Sequence, residues 1–165
     1  MGKLDCVITQ NIDGLHQLAG NSPDRVIELH GTTRFVTCLS CGKRWSREEI
    51  ERWLDEGVEI PMCDACGGIM KSATISFGQA MPMEEMMEAE RRSRQSDLCI
   101  VIGSSLVVYP AASMPIYAVQ SGAKLVIINR DPTPFDEMAA VVVNESAGDV
   151  MTSLMEKVKS RIQKT

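Results

Sequence analysis

Four of the six cysteines in this sequence stand as two C-x-x-C pairs, Cys38 with Cys41 and Cys63 with Cys66. Two such knuckles can present four thiolates tetrahedrally to one zinc ion. Four sulfur ligands also close its coordination shell, so the metal expected there is structural and not catalytic. Gly42 follows the first pair and Gly67-Gly68 the second, which permits the tight turns that aim backbone N–H groups at sulfur. Two disulfides would need an oxidising compartment, for which the sequence carries no sign. A redox C-x-x-C usually occurs once, not twice with matched glycines. Cys6 and Cys99 fall within apparent strands and read as buried, apolar-like residues and not as ligands.

A second set of reactive side chains sits where apolar runs stop. Leu98–Ile102 ends in Gly103-Ser104-Ser105, 124–129 ends in Arg130-Asp131, and 140–143 ends in Asn144. The run 6–9 ends in Gln10-Asn11-Ile12-Asp13, and 26–29 ends in His30-Gly31. These runs are rich in β-branched residues and stop at polar or turn-forming ones, as buried parallel strands do. Segment 111–122 reads as a crossover helix closed by Gly122. Segments 83–94 and 148–164 read as flanking helices. Alternating strands and helices predict a parallel α/β sheet, whose ligand crevice lies beyond the carboxyl ends of its strands. The polar clusters all fall there, which is the reason to expect a binding site along one rim.

Residues 37–72 break this rhythm and read as an inserted zinc-ribbon lobe between the two parts, 1–36 and 73–165, of a partial Rossmann-like parallel-sheet domain. Within the lobe, Ser46 with Glu49 three residues on is a capping box that opens a short helix over 46–57. Trp45 and Trp53 are expected to pack it.

Composition narrows the class. The chain has 165 residues, enough for one domain plus a small insertion, and 44% are hydrophobic, enough for a real core. The formal charge is -5, and 4% of residues are aromatic, so neither a basic footprint nor a base-stacking platform is expected and no direct nucleic-acid partner is assigned. No apolar run reaches the about 20 residues that span a bilayer, and the start lacks a signal-peptide core. The sequence reads as soluble and cytoplasmic, with no membrane partner.

Several motifs, in order, resemble the sirtuin family. Thr9-Gln10-Asn11-Ile12-Asp13-Gly14-Leu15-His16 resembles T-Q-N-I-D-x-L-H, and His30-Gly31 resembles the catalytic H-G. The C-x-x-C pairs follow. Ile75-Ser76-Phe77-Gly78-Gln79 resembles the substrate-binding V-x-F-G-E strand, with Gln79 in place of glutamate. Gly103-Ser104-Ser105-Leu106-Val107-Val108-Tyr109-Pro110-Ala111 resembles G-T-S-L-x-V-x-P-A, with Ser104 for threonine, and Ile128-Asn129-Arg130-Asp131 resembles I-N-x-E.

The resemblance implies an NAD-dependent protein-lysine deacylase that transfers the acyl group to ADP-ribose and releases nicotinamide. It implies that His30 is the general base. Gln10, Asn11, Ile12, Asp13, Gly103, Ser104, Ser105, Asn129, Arg130, Asp131 and Ala147 would contact NAD. Phe77, Gly78 and Gln79, with Val107, Val108 and Tyr109, would flank an acylated-lysine protein or peptide. His16, in a helix after Asp13, is assigned packing or capping. The family's opening strand, G-A-G-x-S loop and P-D-F-R-like segment have no counterpart here, so an N-terminally incomplete domain is expected. Two other readings stay open: an inactive or partner-completed fragment, and a zinc-ribbon interaction module. An incomplete sheet also predicts an exposed apolar face and self-association.

Overall fold

A computed structural model describes residues 2–163. The chain divides into two compact units, one up to Glu88 and one from Ala89. In the first, β1 (Val7–Thr9), α1 (Leu15–Leu18) and β2 (Val26–Glu28) form a small β-α-β unit. The two strands pair in parallel, Val7 opposite Val26 and Thr9 opposite Glu28. Residues Val26, Ile27 and Leu29 are buried.

The same unit then turns antiparallel. Strands β3 (Gly31–Cys38), β4 (Arg44–Ser46) and β5 (Met70–Thr74) form a sheet of order β4-β3-β5, with a register shift between Gly31 and Val36. Helix α2 (Arg47–Asp55) packs on β3 and β4. Its start is fixed by both halves of the expected capping box: the Glu49 N–H donates to Ser46 Oγ and the Ser46 N–H to Glu49 Oε2. The lobe's core is Val36, Cys38, Trp45, Ile50 and Cys63, with Trp53 edge-on to Trp45 at a ring distance of 6.0 Å. A core this small buries little apolar surface, so a metal crosslink is the expected supplement.

Helix α3 (Met83–Gln95) leads into β6 (Leu98–Ile102), α4 (Met114–Gln120), β7 (Lys124–Ile128), β8 (Val141–Val143) and α5 (Ala147–Ile162). The sheet order is β6-β7-β8, parallel throughout. Helix α4 begins after a short 3-10 turn at Ala111–Ser113, packs on β6 and β7, and ends ahead of Gly122, whose φ of 97° takes the left-handed C-terminal conformation. Val101, Leu125 and Ile127 point into the core with Leu106, Ala112 and Phe135.

The α/β class, the parallel strands and the helices at 83–94, 111–122 and 148–164 stand as read from the sequence. Position 164 lies outside the described residues. Parallel pairing occurs in two sheets, of two and three strands. Cys99 is half-buried against the core of its sheet, and Cys6 is half-buried just ahead of β1.

One expected strand is absent: 75–79 is not extended, and residues 76–79 close a turn. The Gln79 N–H donates to the Ser76 carbonyl at 3.0 Å, and Gly78, third in the turn, has a φ of 83°. A glycine there takes a conformation closed to most L-residues, and that bends the chain where an extended segment would have run.

Candidate functional site

His30 follows β2 and stands beside the segment that follows β1, because the parallel pairing of these strands brings their carboxyl ends together. Its Nδ1 lies 3.1 Å from the Gln10 carbonyl oxygen. A carbonyl only accepts, so Nδ1 carries the hydrogen in this bond. In the neutral ring Nε2 is then left with its lone pair.

The backbone around His30 is held on both sides. The Leu29 N–H donates to the Thr9 carbonyl at 3.0 Å and the Ile75 N–H to the His30 carbonyl at 2.8 Å. Gly31 has a φ of 72°, and a Cβ there would stand 2.1 Å from the Ala73 carbonyl oxygen, so the close approach of β5 requires glycine.

The 10–13 segment is ordered by local bonds. The Asn11 N–H donates to Thr9 Oγ1 at 3.1 Å, and the Leu15 N–H to Asp13 Oδ1 at 3.0 Å. The Ile12 carbonyl accepts from both the N–H and the hydroxyl of Thr33. Arg34 lies against Gly14, where a Cβ would come within 2.6 Å of its Cδ, and pairs with Glu28 at 2.8 Å. Sequence reasoning missed Thr33 and Arg34. Both lie on β3, an element with no clean alternation to reveal it.

The four knuckle cysteines converge. Their sulfurs all lie within 4.8 Å of one another. Cys38 and Cys66 are 3.5 Å apart, and Cys41 and Cys63 are 3.6 Å apart. Tetrahedral zinc with bonds of about 2.3 Å sets its sulfurs roughly 3.8 Å apart, so the cluster already has the size a zinc ion needs. The knuckles close as expected, with the Gly42 N–H on the Cys38 carbonyl and the Gly67 N–H on the Cys63 carbonyl. Gly68 has its own reason: a Cβ there would stand 2.9 Å from Cys38 Sγ.

Backbone donation from Cys41, and then from Ser40, outweighs burial and lowers the Cys38 thiol to about 6. Cys66 is pulled down by the Gly68 N–H, but its hydrogen bonds with Cys63, Cys41 and Cys38 push it up to about 12. Of these two, Cys38 is a ready thiolate and Cys66 carries a proton that a metal must displace.

In the second unit, Gly103 leaves β6 with a φ of 63° and its N–H on the Ile128 carbonyl. A Cβ at Gly103 would meet only the Ala147 Cβ, at 4.0 Å, so the backbone stands open to approach. Ser104 Oγ accepts from the Leu106 N–H. Leu106 is buried with a φ of 56°, which anchors the loop and leaves Ser105, Val107 and Tyr109 exposed. Asn129 is buried at the end of β7. Its Nδ2 donates to the Asp131 carbonyl at 2.7 Å, and its carbonyl accepts from Asn144 Nδ2. Ala147 opens α5. A left-handed glycine, two hydroxyls and an ordered amide at strand ends fit the phosphate and ribose of a dinucleotide. Phe77 is fully exposed and Val108 is 38% exposed, so neither is a core residue.

Comparison with known proteins places these features in context. The sequence model of the Sir2 family matches residues 1–110. An NAD-dependent protein deacetylase of Rhodopseudomonas palustris is 47% identical over 150 residues, covering 91% of this chain and 59% of that protein. One from Thermotoga maritima is 42% identical, covering 94% of this chain and 62% of its own length. A solved structure of Sir2 with a p53 peptide and NAD+ superposes with a TM-score of 0.85 at 42% identity, over 93% of this chain and 63% of that one. Sir2 bound to an acetylated peptide gives a TM-score of 0.86 at 41% identity, covering 93% and 63%.

Proposed function

Because the chain belongs to the Sir2 family, we propose that its residues serve an NAD-dependent protein-lysine deacylase, with His30 as general base and the four cysteines on structural zinc. The chain spans 59% and 62% of the two deacetylases named above, so the activity is assigned to the residues and tested on the chain as it stands. The observation that carries the reading is the bond between His30 Nδ1 and the Gln10 carbonyl. It fixes the tautomer that leaves Nε2 free to take a proton from a ribose hydroxyl.

NAD, when bound, supplies the ribose carbon that takes the acyl oxygen as nicotinamide leaves. Gln10 and Asn11 orient the nicotinamide ribose, while Ile12 and Asp13 hold the carboxamide. Gly103, Ser104 and Ser105 meet the phosphates and adenine ribose with N–H groups and hydroxyls. Asn129, Arg130 and Asp131 bind the adenine ribose, and Ala147 borders the adenine. An acylated-lysine peptide lies against Phe77, Gly78 and Gln79 and against Val107, Val108 and Tyr109. In this reading 1–36 and 73–165 form the cofactor domain and 37–72 the zinc lobe. No helix among the described residues is long and apolar enough to cross a membrane. A cytoplasmic setting and self-association through the sheet of the second unit complete the proposal.

The test is nicotinamide release from NAD with an acetyl-lysine peptide, followed by mass spectrometry at high protein concentration. Turnover that His30→Ala abolishes, with zinc still at one per chain, is the expected result. Silence from the folded, zinc-loaded chain overturns activity for this chain. An unchanged rate in His30→Ala overturns the base assignment.

A further inference from the structure

We propose that Lys71 is a positioning residue that locks the Phe77–Gly78 turn in the form that receives peptide, an inference resting on the deacylase reading above. Lys71 lies on β5, opposite Thr37 in the antiparallel ladder, a few residues after the second cysteine knuckle. Its ammonium reaches forward to three oxygens. They are the Thr74 carbonyl at 2.8 Å, Ser76 Oγ at 3.2 Å and Gln79 Oε1 at 3.1 Å. An ammonium has three N–H donors, so one nitrogen spans the end of the strand and both ends of the turn.

Gln79 Oε1 also accepts from the Ser76 N–H at 3.3 Å, which closes the turn from inside. Apart from the Gln79 N–H on the Ser76 carbonyl, little else holds it. Phe77 is fully exposed, and a Cβ at Gly78 would meet no atom within 4 Å. Without apolar packing, the shape of the turn depends on these polar bonds. The start of the same segment is tied to His30, since the Ile75 N–H bonds the His30 carbonyl. Lys71 thus connects the zinc-bearing sheet, through Gln79, to the segment assigned to substrate. Arginine is a poor substitute, because its planar fork cannot bring three donors to one point.

The exposed Phe77 provides a readout independent of activity, as chymotrypsin cleaves after it. In Lys71→Met, cleavage after Phe77 should accelerate and acetyl-lysine peptide affinity should fall about tenfold, the scale of one hydrogen bond to a charged group. Zinc content and NAD affinity should hold. Lys71→Arg should be intermediate. Gln79→Glu gives the ammonium a carboxylate partner and should slow cleavage, but not when combined with Lys71→Met. That coupling is specific to the clamp.

Unchanged cleavage in zinc-loaded Lys71→Met, or equal protection by Gln79→Glu in both backgrounds, overturns the clamp. Faster cleavage with unchanged peptide affinity overturns its role toward peptide. If Lys71→Met fails to fold, the Gln79→Glu cleavage rate decides. If the unaltered chain binds no acetyl-lysine peptide, the deacylase reading fails and takes the peptide role with it, whereas the clamp is judged on cleavage alone.

Discussion

Cys38 and Cys66 are neighbours in one sulfur cluster and hold their protons very differently, near 6 and near 12. Zinc binds thiolates, so a ligand that is protonated in the metal-free protein must give up its proton on binding. Cys66 stays protonated at any working pH, and zinc uptake expels that proton. The affinity should therefore rise with pH by at least tenfold per unit across roughly pH 7 to 8. Below about 6 the Cys38 thiolate is lost as well, a further proton must leave, and the dependence should steepen. Competition with a chelator across this range measures the slope. A zinc affinity independent of pH near neutrality would mean the cluster is already fully ionised, against the hydrogen bonding described here. The ligand set itself is legible in the spacing of two C-x-x-C pairs. The inequality between Cys38 and Cys66 is not, because it arises from the backbone N–H groups that the folded knuckle aims at Cys38 and from the neighbouring sulfurs that bond Cys66.

At the level of elements, α2 depends on its first turn. Ser46 and Glu49 satisfy each other's backbone N–H groups, and hydrogen bonding to the Ser46 N–H holds the Glu49 carboxyl below its usual range. Ser46→Ala should cost about 1 kcal/mol, read as a lower urea midpoint of the zinc-loaded protein. An unchanged midpoint would show that packing of Ile50 and Trp53 alone sets the helix. This helix was legible because a capping box is a local signal. So were β6 and β7, whose unbroken apolar runs have few other uses. By contrast β3, Gly31–Cys38, mixes threonine, arginine and phenylalanine in a half-buried strand with a register shift, and its signal is lost. Segment 75–79 misled in the other direction. Its resemblance to a substrate-binding strand implied an extended run, but Gly78 and the Lys71 bonds make it a turn. Of the site, the strand-end residues were visible as motifs. Thr33 and Arg34 hold them through Ile12, Gly14 and Glu28, and Lys71 holds the later turn through Thr74, Ser76 and Gln79, contacts that only the folded chain brings together.

At the scale of the molecule, the sheet of the second unit is covered unequally. Val101, Leu125 and Ile127 face the core under α4. On the other face the register aligns Ile100, Val126 and Val141 in one row, and Ile100 and Val141 remain 44% and 50% exposed. Leu98 and Ile102 flank Ile100 on that face at 48% and 45%. Parallel sheets are almost always covered on both sides, so this row has an apolar driving force to meet another surface. Covering a half-exposed Ile or Leu is worth about 1 kcal/mol, so the four residues on each of two copies gain several kcal/mol. Association costs on the order of 4–15 kcal/mol in lost freedom, so the gain is comparable to the cost. The expected result is weak, reversible self-association that grows with concentration, not a tight dimer. Light scattering across a dilution series should show the mean mass rising. Ile100→Lys, which places a charge at the centre of the row, should return it to that of one chain. A constant single-chain mass for the unaltered protein, or an unchanged rise in Ile100→Lys, would mean this face is not where copies meet.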